Sequence, residues 1–247
     1  MVWRWYDAHA RDYDATYSTR VHAAENLAIA KALNTEPVHS VVDIGCGTGL
    51  AYQLLEFPFL ADSWYYGVDP SEGMLREAEF KYPPGGVQHR QWIQSEAGPV
   101  LRSLSGLDLV CSLFAFQWVP DPEHVLMLAR RALRPGGRLV VVSARRRVDP
   151  APFPQANYRA RDWRYLLRAW EDVAVRPLTP WKRLARVLPS AVEMPGPADL
   201  GQYLIVEAKR GGGRERYAGG AGERERVAHP VAVQGPQRAQ DPRRGEE

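Results

Sequence analysis

The stretch Val41-Val42-Asp43-Ile44-Gly45-Cys46-Gly47-Thr48-Gly49-Leu50 constrains this chain more than any other. A short apolar run ends in a carboxylate and then passes through three alternating glycines. That pattern reads as a buried parallel strand handing over to a helix where backbone must approach a ligand. A Cβ at those positions would block both the turn and the approach. No Gly-Lys-Ser/Thr follows, so the loop is not a phosphate loop, and Leu50 stands where a dinucleotide fingerprint wants a further glycine. The pattern suits a nucleoside ligand that lacks a pyrophosphate.

Around this stretch, strands and helices alternate. Strands are expected at His39 to Ile44, Trp64 to Val68, Gln88 to Gln94, Leu107 to Leu113 and Arg138 to Ser143. Helices are expected from Thr48 to Leu55, Ser71 to Phe80 and Asp121 to Leu133, the last stopped by Arg134-Pro135-Gly136-Gly137. Ser71 suits an N-cap, with Glu72 favourable to the helix dipole. Such alternation implies right-handed crossovers and a doubly wound, Rossmann-like α/β sheet covered on both faces. Residues 3 to 33 read as helix, its first half polar with tyrosines two turns apart, either packed on the domain or lying as a lid over a ligand. After an irregular stretch from Arg145, Ala160 to Glu171 reads as helix, Val173 to Leu178 and Gln202 to Ala208 as strands, and Trp181 to Leu188 as a short helix.

Asp69 ends the second strand, beside the glycine turn in a doubly wound sheet. A carboxylate there can accept both hydroxyls of an adenosine ribose and would repel a phosphate. Met74, one helical turn on, can pack against a purine face.

Composition limits the remaining classes. The 247 residues, 45% of them hydrophobic, suffice for one α/β domain with excess. The net charge is +3, and residues 210 to 247 hold eight Arg against six acids, so the rest is nearly neutral, unlike a duplex-binding face. Nucleic acid is therefore not an expected partner. That tail is poor in large apolar residues and reads as disordered. Two cysteines build no disulfide framework and fit a reducing cytosol. Met1 to Asp7 lacks the apolar core of a signal peptide, and no apolar run reaches membrane-span length, so the expected location is cytoplasmic, without a membrane. Cys46 and Cys111 read as packing thiols, and no metal set is expected. The expected division is a helical lid over 1–36, a catalytic domain over 37–209 and the tail over 210–247.

The segments Asp43-Ile44-Gly45-Cys46-Gly47-Thr48-Gly49 and Gly67-Val68-Asp69-Pro70-Ser71-Glu72-Gly73-Met74-Leu75 together resemble the class I S-adenosylmethionine-dependent methyltransferases. Leu107 to Ser112, Phe116-Gln117-Trp118-Val119 and Leu133 to Val140 agree in order and spacing. The resemblance is to the small-molecule branch containing the biotin-, quinone- and trans-aconitate-type enzymes, and covers roughly residues 5 to 209. It implies a seven-stranded sheet whose last strand is antiparallel and inserted beside the fifth. It also implies that Asp43, Gly45, Cys46, Gly47 and Gly49 surround the methionine part of S-adenosyl-L-methionine. Asp69 would hold the ribose, and Pro70 and Met74 would border the adenine. Ser95, Glu96 and Ala97 would follow, with Glu96 accepting from the adenine amino group. Ser112 and Leu113 would lie beneath the sulfonium, and Tyr13 would close over the cofactor.

The implied reaction is methyl transfer to a small-molecule acceptor by in-line displacement. It needs alignment and exclusion of water more than catalytic groups. If a base is required, His9 and His124 are the candidates. Phe114, Phe116, Gln117 and Trp118 could wall an acceptor pocket, with core packing the alternative for the two phenylalanines. Arg145-Arg146-Arg147 lies past the fifth strand, as a solvated run or a contact for an anionic acceptor. Two other readings stay open: an RNA or protein methyltransferase, and a non-catalytic cofactor-binding module. Ser112-Leu113-Phe114-Ala115 replaces the Asn/Asp-Pro-Pro-Tyr-type segment that attack by a base amine would favour.

Overall fold

Val41, Val42 and Ile44 present apolar side chains to both sides of their strand, which only a central, doubly covered position satisfies. In the computed structural model β1 (Ser40–Ile44) is buried along its whole length. The structure describes residues 2–17, 20–56, 63–83, 89–145, 156–178 and 203–212. Around β1 lie β2 (Trp64–Asp69), β3 (His89–Gln94), β4 (Leu107–Leu113), β5 (Leu133–Ala144), β6 (Glu171–Pro177) and β7 (Tyr203–Lys209). They form one seven-stranded sheet in the order β3-β2-β1-β4-β5-β7-β6. β1 to β5 are mutually parallel, and β7 inserts antiparallel between β5 and β6. The inserted antiparallel strand is as expected.

Helices cover both faces. α1 (Trp3–Tyr17), α2 (Arg20–Leu33), α3 (Leu50–Leu54), α4 (Glu72–Lys81), α5 (Ala97–Ser103), α6 (Pro122–Ala132) and α7 (Ala160–Leu166) complete the order. One face buries Val42, Val68, Val110 and Val141 with Leu101, Leu126, Phe116 and Trp163. The other buries Val41, Tyr65, Leu109 and Val140 with Ile29, Leu33 and Ala51. Each large aliphatic or aromatic side chain so buried contributes about 1.5–3 kcal/mol.

α2 is fixed from its end. Arg138 on β5, almost wholly buried, donates to the carbonyls of Ala32 and Leu33 at 2.9 and 2.7 Å and to the Thr35 hydroxyl. A guanidinium there satisfies acceptors that the helix terminus leaves open and complements its dipole.

The structure corrects several boundaries. The single helix expected over 3–33 is two helices, α1 and α2. α5 is an element the sequence pattern does not announce: Pro99 falls in its first turn, where no N–H is needed, and Val100 and Leu101 are buried. The Pro135-Gly136-Gly137 turn lies within β5, taken up as a shift in register between Leu107↔Leu133 and Leu109↔Arg138. Arg210, expected to begin the tail, still pairs with the sheet. Its N–H donates to the Gly137 carbonyl, its carbonyl accepts from Gly136, and its guanidinium reaches the Leu133 carbonyl. The helix expected at Trp181 to Leu188, Arg146, Arg147 and the tail beyond Gly212 lie outside the described residues.

Candidate active site

The strand order reverses between β1 and β4, and this switch point opens a crevice at the carboxyl ends of the strands. β1 and β2 run in register, Ile44 opposite Val68, so the glycine loop leaves the sheet directly beside Asp69. The amides of Gly45 and Cys46 donate to the Val68 carbonyl at 2.7 and 3.1 Å, fixing the loop to the second strand. Gly45, Gly47 and Gly49 all have positive φ, at 67°, 52° and 90°. Gly45 is packed under Ala115 and Gly49 against Tyr82 and Trp92, whereas a Cβ on Gly47 would meet nothing within 4 Å. Gly47 thus faces open space.

Asp69 is held by two backbone donors, Gly47 N–H to Oδ2 at 3.0 Å and Ser71 N–H to Oδ1 at 2.8 Å. Burial pushes its carboxyl up to about 6; the two amides pull it down, and the charges of Asp7 and Glu96 raise it again. Both of those charges are negative. Glu96 caps α5 at the end of β3, and Ser95 N–H donates to the Asp69 carbonyl at 3.2 Å. A cation, or a ligand offering hydroxyl donors, fits this surrounding; a phosphate does not.

Asp43 lies deeper. Its carboxylate accepts from the Tyr65 hydroxyl at 2.7 Å and from the Cys111 thiol at 3.6 Å. Burial lifts it to about 7, opposed by those hydrogen bonds and reinforced by the Asp69 charge. The same burial pushes the thiols of Cys46 and Cys111 well above their usual range. Both thiols are free and buried, as packing groups are.

α1 covers the crevice. Asp7 Oδ1 accepts from the Ser71 hydroxyl at 2.7 Å and the Gly73 amide at 2.8 Å, at the start of α4. Asp14 Oδ1 accepts from the Thr48 hydroxyl at 2.6 Å, and its Oδ2 pairs with Lys81. Tyr6, next to Asp7 on the helix, packs edge-on to Tyr13 and to Trp118, with ring centroids 6.1 and 6.3 Å away. Tyr13 lies on this same helix. Asp7 and Asp14 are site residues that sequence reasoning missed, although a seven-residue spacing puts both on one helix face.

Of the residues singled out from sequence, Asp43, Gly45, Cys46, Gly47, Gly49, Asp69, Pro70, Ser95 and Glu96 meet at the ends of β1, β2 and β3. Met74 and Ala97 are buried in the first turns of α4 and α5. Ser112 and Leu113 end β4, both buried, the Ser112 hydroxyl without a hydrogen-bond partner. Phe114 turns the chain there with φ of 60°, one of two non-glycine residues in that region among those described. The Gln117 side-chain amide donates to the Phe114 carbonyl at 2.5 Å and so pins this turn.

Three candidates sit elsewhere. Phe116 is wholly buried against Tyr158 and Trp163, in the core and not on a pocket wall. His9 is exposed, stacked on Trp5 with its Nδ1 2.7 Å from the Trp5 carbonyl. His124 is exposed on the first turn of α6, its Nε2 3.5 Å from Arg102. Neither imidazole is among the groups gathered at the crevice: His9 is turned along its own helix, and His124 is drawn to the outer surface of α5 and α6.

Residues 42–139 match the family described as a methyltransferase domain. The chain is 30% identical over 171 residues to the malonyl-[acyl-carrier protein] O-methyltransferase of Alcanivorax borkumensis, covering 63% of this chain and 55% of that protein. It is 36% identical over 107 residues to the trans-aconitate 2-methyltransferase of Deinococcus radiodurans, covering 42% of this chain and 38% of that protein. The chain thus spans about half the length, or less, of these curated relatives. Among solved structures, the methyltransferase chain in complex with the Haloferax volcanii Trm112 activator shares the fold, with a TM-score of 0.63 at 17% identity, over 83% of this chain and 97% of that one.

Proposed function

We propose that this chain, a member of the methyltransferase domain family over residues 42–139, transfers a methyl group from S-adenosylmethionine to a small-molecule acceptor. The observation that carries the reading is the crevice itself: an open face over Gly47, a buried carboxylate at Asp69 tied to the same loop, and the acids Asp7 and Glu96 as the charges acting on it. When bound, the cofactor supplies an electrophilic methyl carbon on a sulfonium sulfur.

The chain's own residues bind, orient and exclude water. Asp69, already polarised by two amides, accepts from ribose hydroxyls, and Glu96 and Pro70 flank the base. The glycine loop admits the amino-acid part over Gly47. Ser112 and Leu113 floor the crevice where β4 ends, and Phe114, Gln117 and Trp118 form its acceptor side. Tyr6 and Tyr13 on α1 shield it from water, which strengthens each charge interaction within. No side chain is assigned as base, consistent with an acceptor atom that is nucleophilic as bound.

The two relatives named above act on malonyl-acyl carrier protein and on trans-aconitate by their names, which supports a carboxylate-bearing metabolite as the acceptor class. Among the described residues no helix is long and apolar enough to cross a membrane. With its two buried thiols, the chain suits a reducing compartment such as the cytoplasm. Methyl-labelled cofactor incubated with the protein and a metabolite extract tests the reading. A labelled small product supports it; label in RNA or protein would move the acceptor to a macromolecule, and cofactor binding without any labelled product would leave a binding module.

A further inference from the structure

We infer that Asp7 is a positioning residue of the cofactor site: carried on α1, it acts through Ser71 on Asp69, so that seating of α1 and filling of the crevice are one coupled equilibrium. The inference rests on the cofactor reading given above and deepens it.

Ser71 is the hub. Its N–H donates to Asp69 Oδ1, its hydroxyl oxygen accepts from the Met74 amide as the N-cap of α4, and its hydroxyl proton goes to Asp7 Oδ1. The two hydroxyl contacts fix the orientation of the Ser71 side chain, and Asp7 supplies the one that comes from α1. The same Asp7 oxygen accepts from Gly73, whose missing side chain makes room for it: a Cβ there would lie 2.9 Å from the Asp7 carbonyl oxygen and 3.1 Å from its Cα. α1 therefore docks by backbone contact as well as by charge.

A second anchor lies on the far side of Asp69. Asp14 takes the hydroxyl of Thr48, the residue after Gly47, whose amide is the other donor to Asp69. The two donors that set the Asp69 carboxylate are thus each one step from an aspartate of α1, seven residues apart on one helical face. A helix that lifts away releases both at once. By linkage, whatever free energy cofactor binding contributes to seating α1, the seated α1 contributes to cofactor affinity.

The test separates hydrogen bonding from charge. Asp7→Ala removes the acceptor and the charge; Asp7→Asn keeps an acceptor oxygen for Ser71 and Gly73 and removes only the charge. The groups facing Asp69 are Asp7 on α1, Glu96 after β3, Asp43 on β1 and the Cys46 thiol, with the amides of Gly47 and Ser71. S-adenosylhomocysteine is the probe, read by calorimetry across pH and by hydrogen exchange of the α1 amides.

In the wild-type chain the probe is expected to slow exchange across residues 3–17. Asp7→Ala is expected to weaken probe binding by about tenfold, the lower end of the scale of one hydrogen bond to a charged group, and to abolish that protection. Thr48→Val, at the other anchor, should act in the same direction. Asp7→Asn is expected to restore both affinity and protection, and to move the acid limb of binding to lower pH. That last shift is one a merely structural contact would not produce. The proposal is overturned if wild-type α1 exchanges equally with and without the probe, if Asp7→Ala binds like wild type, or if Asp7→Asn is as weak as Asp7→Ala. A wild-type chain that does not bind the probe at all is a separate result, which removes the cofactor reading and this one with it.

Discussion

Gly45 lies so close beneath Ala115 that a Cβ on the glycine would overlap the Cβ of the alanine. Gly47, two residues on, faces nothing within 4 Å. The two glycines therefore serve different ends, one joining the loop to the turn after β4 and the other leaving space. Gly45→Ala is expected to cost about 2–5 kcal/mol, from left-handed backbone plus overpacking. Gly47→Ala is expected to cost only the backbone part, about 1–2 kcal/mol, yet to weaken S-adenosylhomocysteine binding by about a decade or more, at about 1.4 kcal/mol each. Urea unfolding and calorimetry on the pair read both quantities. Equal stability losses in the two variants would contradict the distinction.

Asp69 titrates at about 6 in the free chain. On the proposed reading ribose hydroxyls donate to its ionised form, so protonation would compete with binding. Affinity for S-adenosylhomocysteine should be flat above neutrality and fall as pH drops through that value, by about tenfold for each pH unit below it. Asp69→Asn should bind weakly at every pH, without that limb.

Asp43 acts on folding, with the opposite sign. Its carboxyl is raised from 3.8 to about 7, so the folded chain binds a proton more tightly than the unfolded one. The stability contributed is complete below about pH 4 and is lost as pH rises towards 7, at up to about 1.4 kcal/mol for each pH unit crossed. Asp43→Asn keeps an acceptor for Tyr65 and should flatten this dependence across that window, while stabilising the chain relative to wild type above neutrality. Urea unfolding across the pH range checks it; a wild-type curve with Asp43→Asn running parallel would refute it.

Arg138 ties α2 to the sheet through the carbonyls of Ala32 and Leu33. Arg138→Met leaves the Leu33 carbonyl without its donor, while the Ala32 carbonyl keeps the Thr35 hydroxyl, and is expected to destabilise by about 1–3 kcal/mol, the cost of one orphaned buried group. Probe binding should change little by comparison, since the crevice lies at the opposite end of β5. Thermal unfolding together with calorimetry measures the two effects.

Much of the fold and of the crevice is legible in the sequence because the signals are local. Val41-Val42-Asp43-Ile44 carries its burial on both faces, and three glycines at alternate positions demand a special backbone, which the positive φ values supply. The bulge at Gly136 and the helix starting at Ala97 are not legible, because a Pro-Gly-Gly turn and a Gly-Pro pair read locally as breaks while tertiary pairing overrides them. Phe116 illustrates the remaining difficulty: an aromatic after β4 suits a pocket wall and a core equally, and only Trp163 and Tyr158, far along the chain, decide it. The anchors Asp7 and Asp14 depend on partners at Ser71 and Thr48 that no local pattern names.

The binding predictions presuppose that the crevice at the carboxyl ends of the strands holds an adenosine-bearing sulfur ligand through Asp69. Calorimetric titration of S-adenosylhomocysteine into the wild-type chain and into Asp69→Ala, at neutral pH, decides the matter. Saturable one-to-one binding to the wild type, lost or sharply weakened in the variant, is the expected result. No binding heat at millimolar ligand, or equal affinity in both proteins, would contradict it.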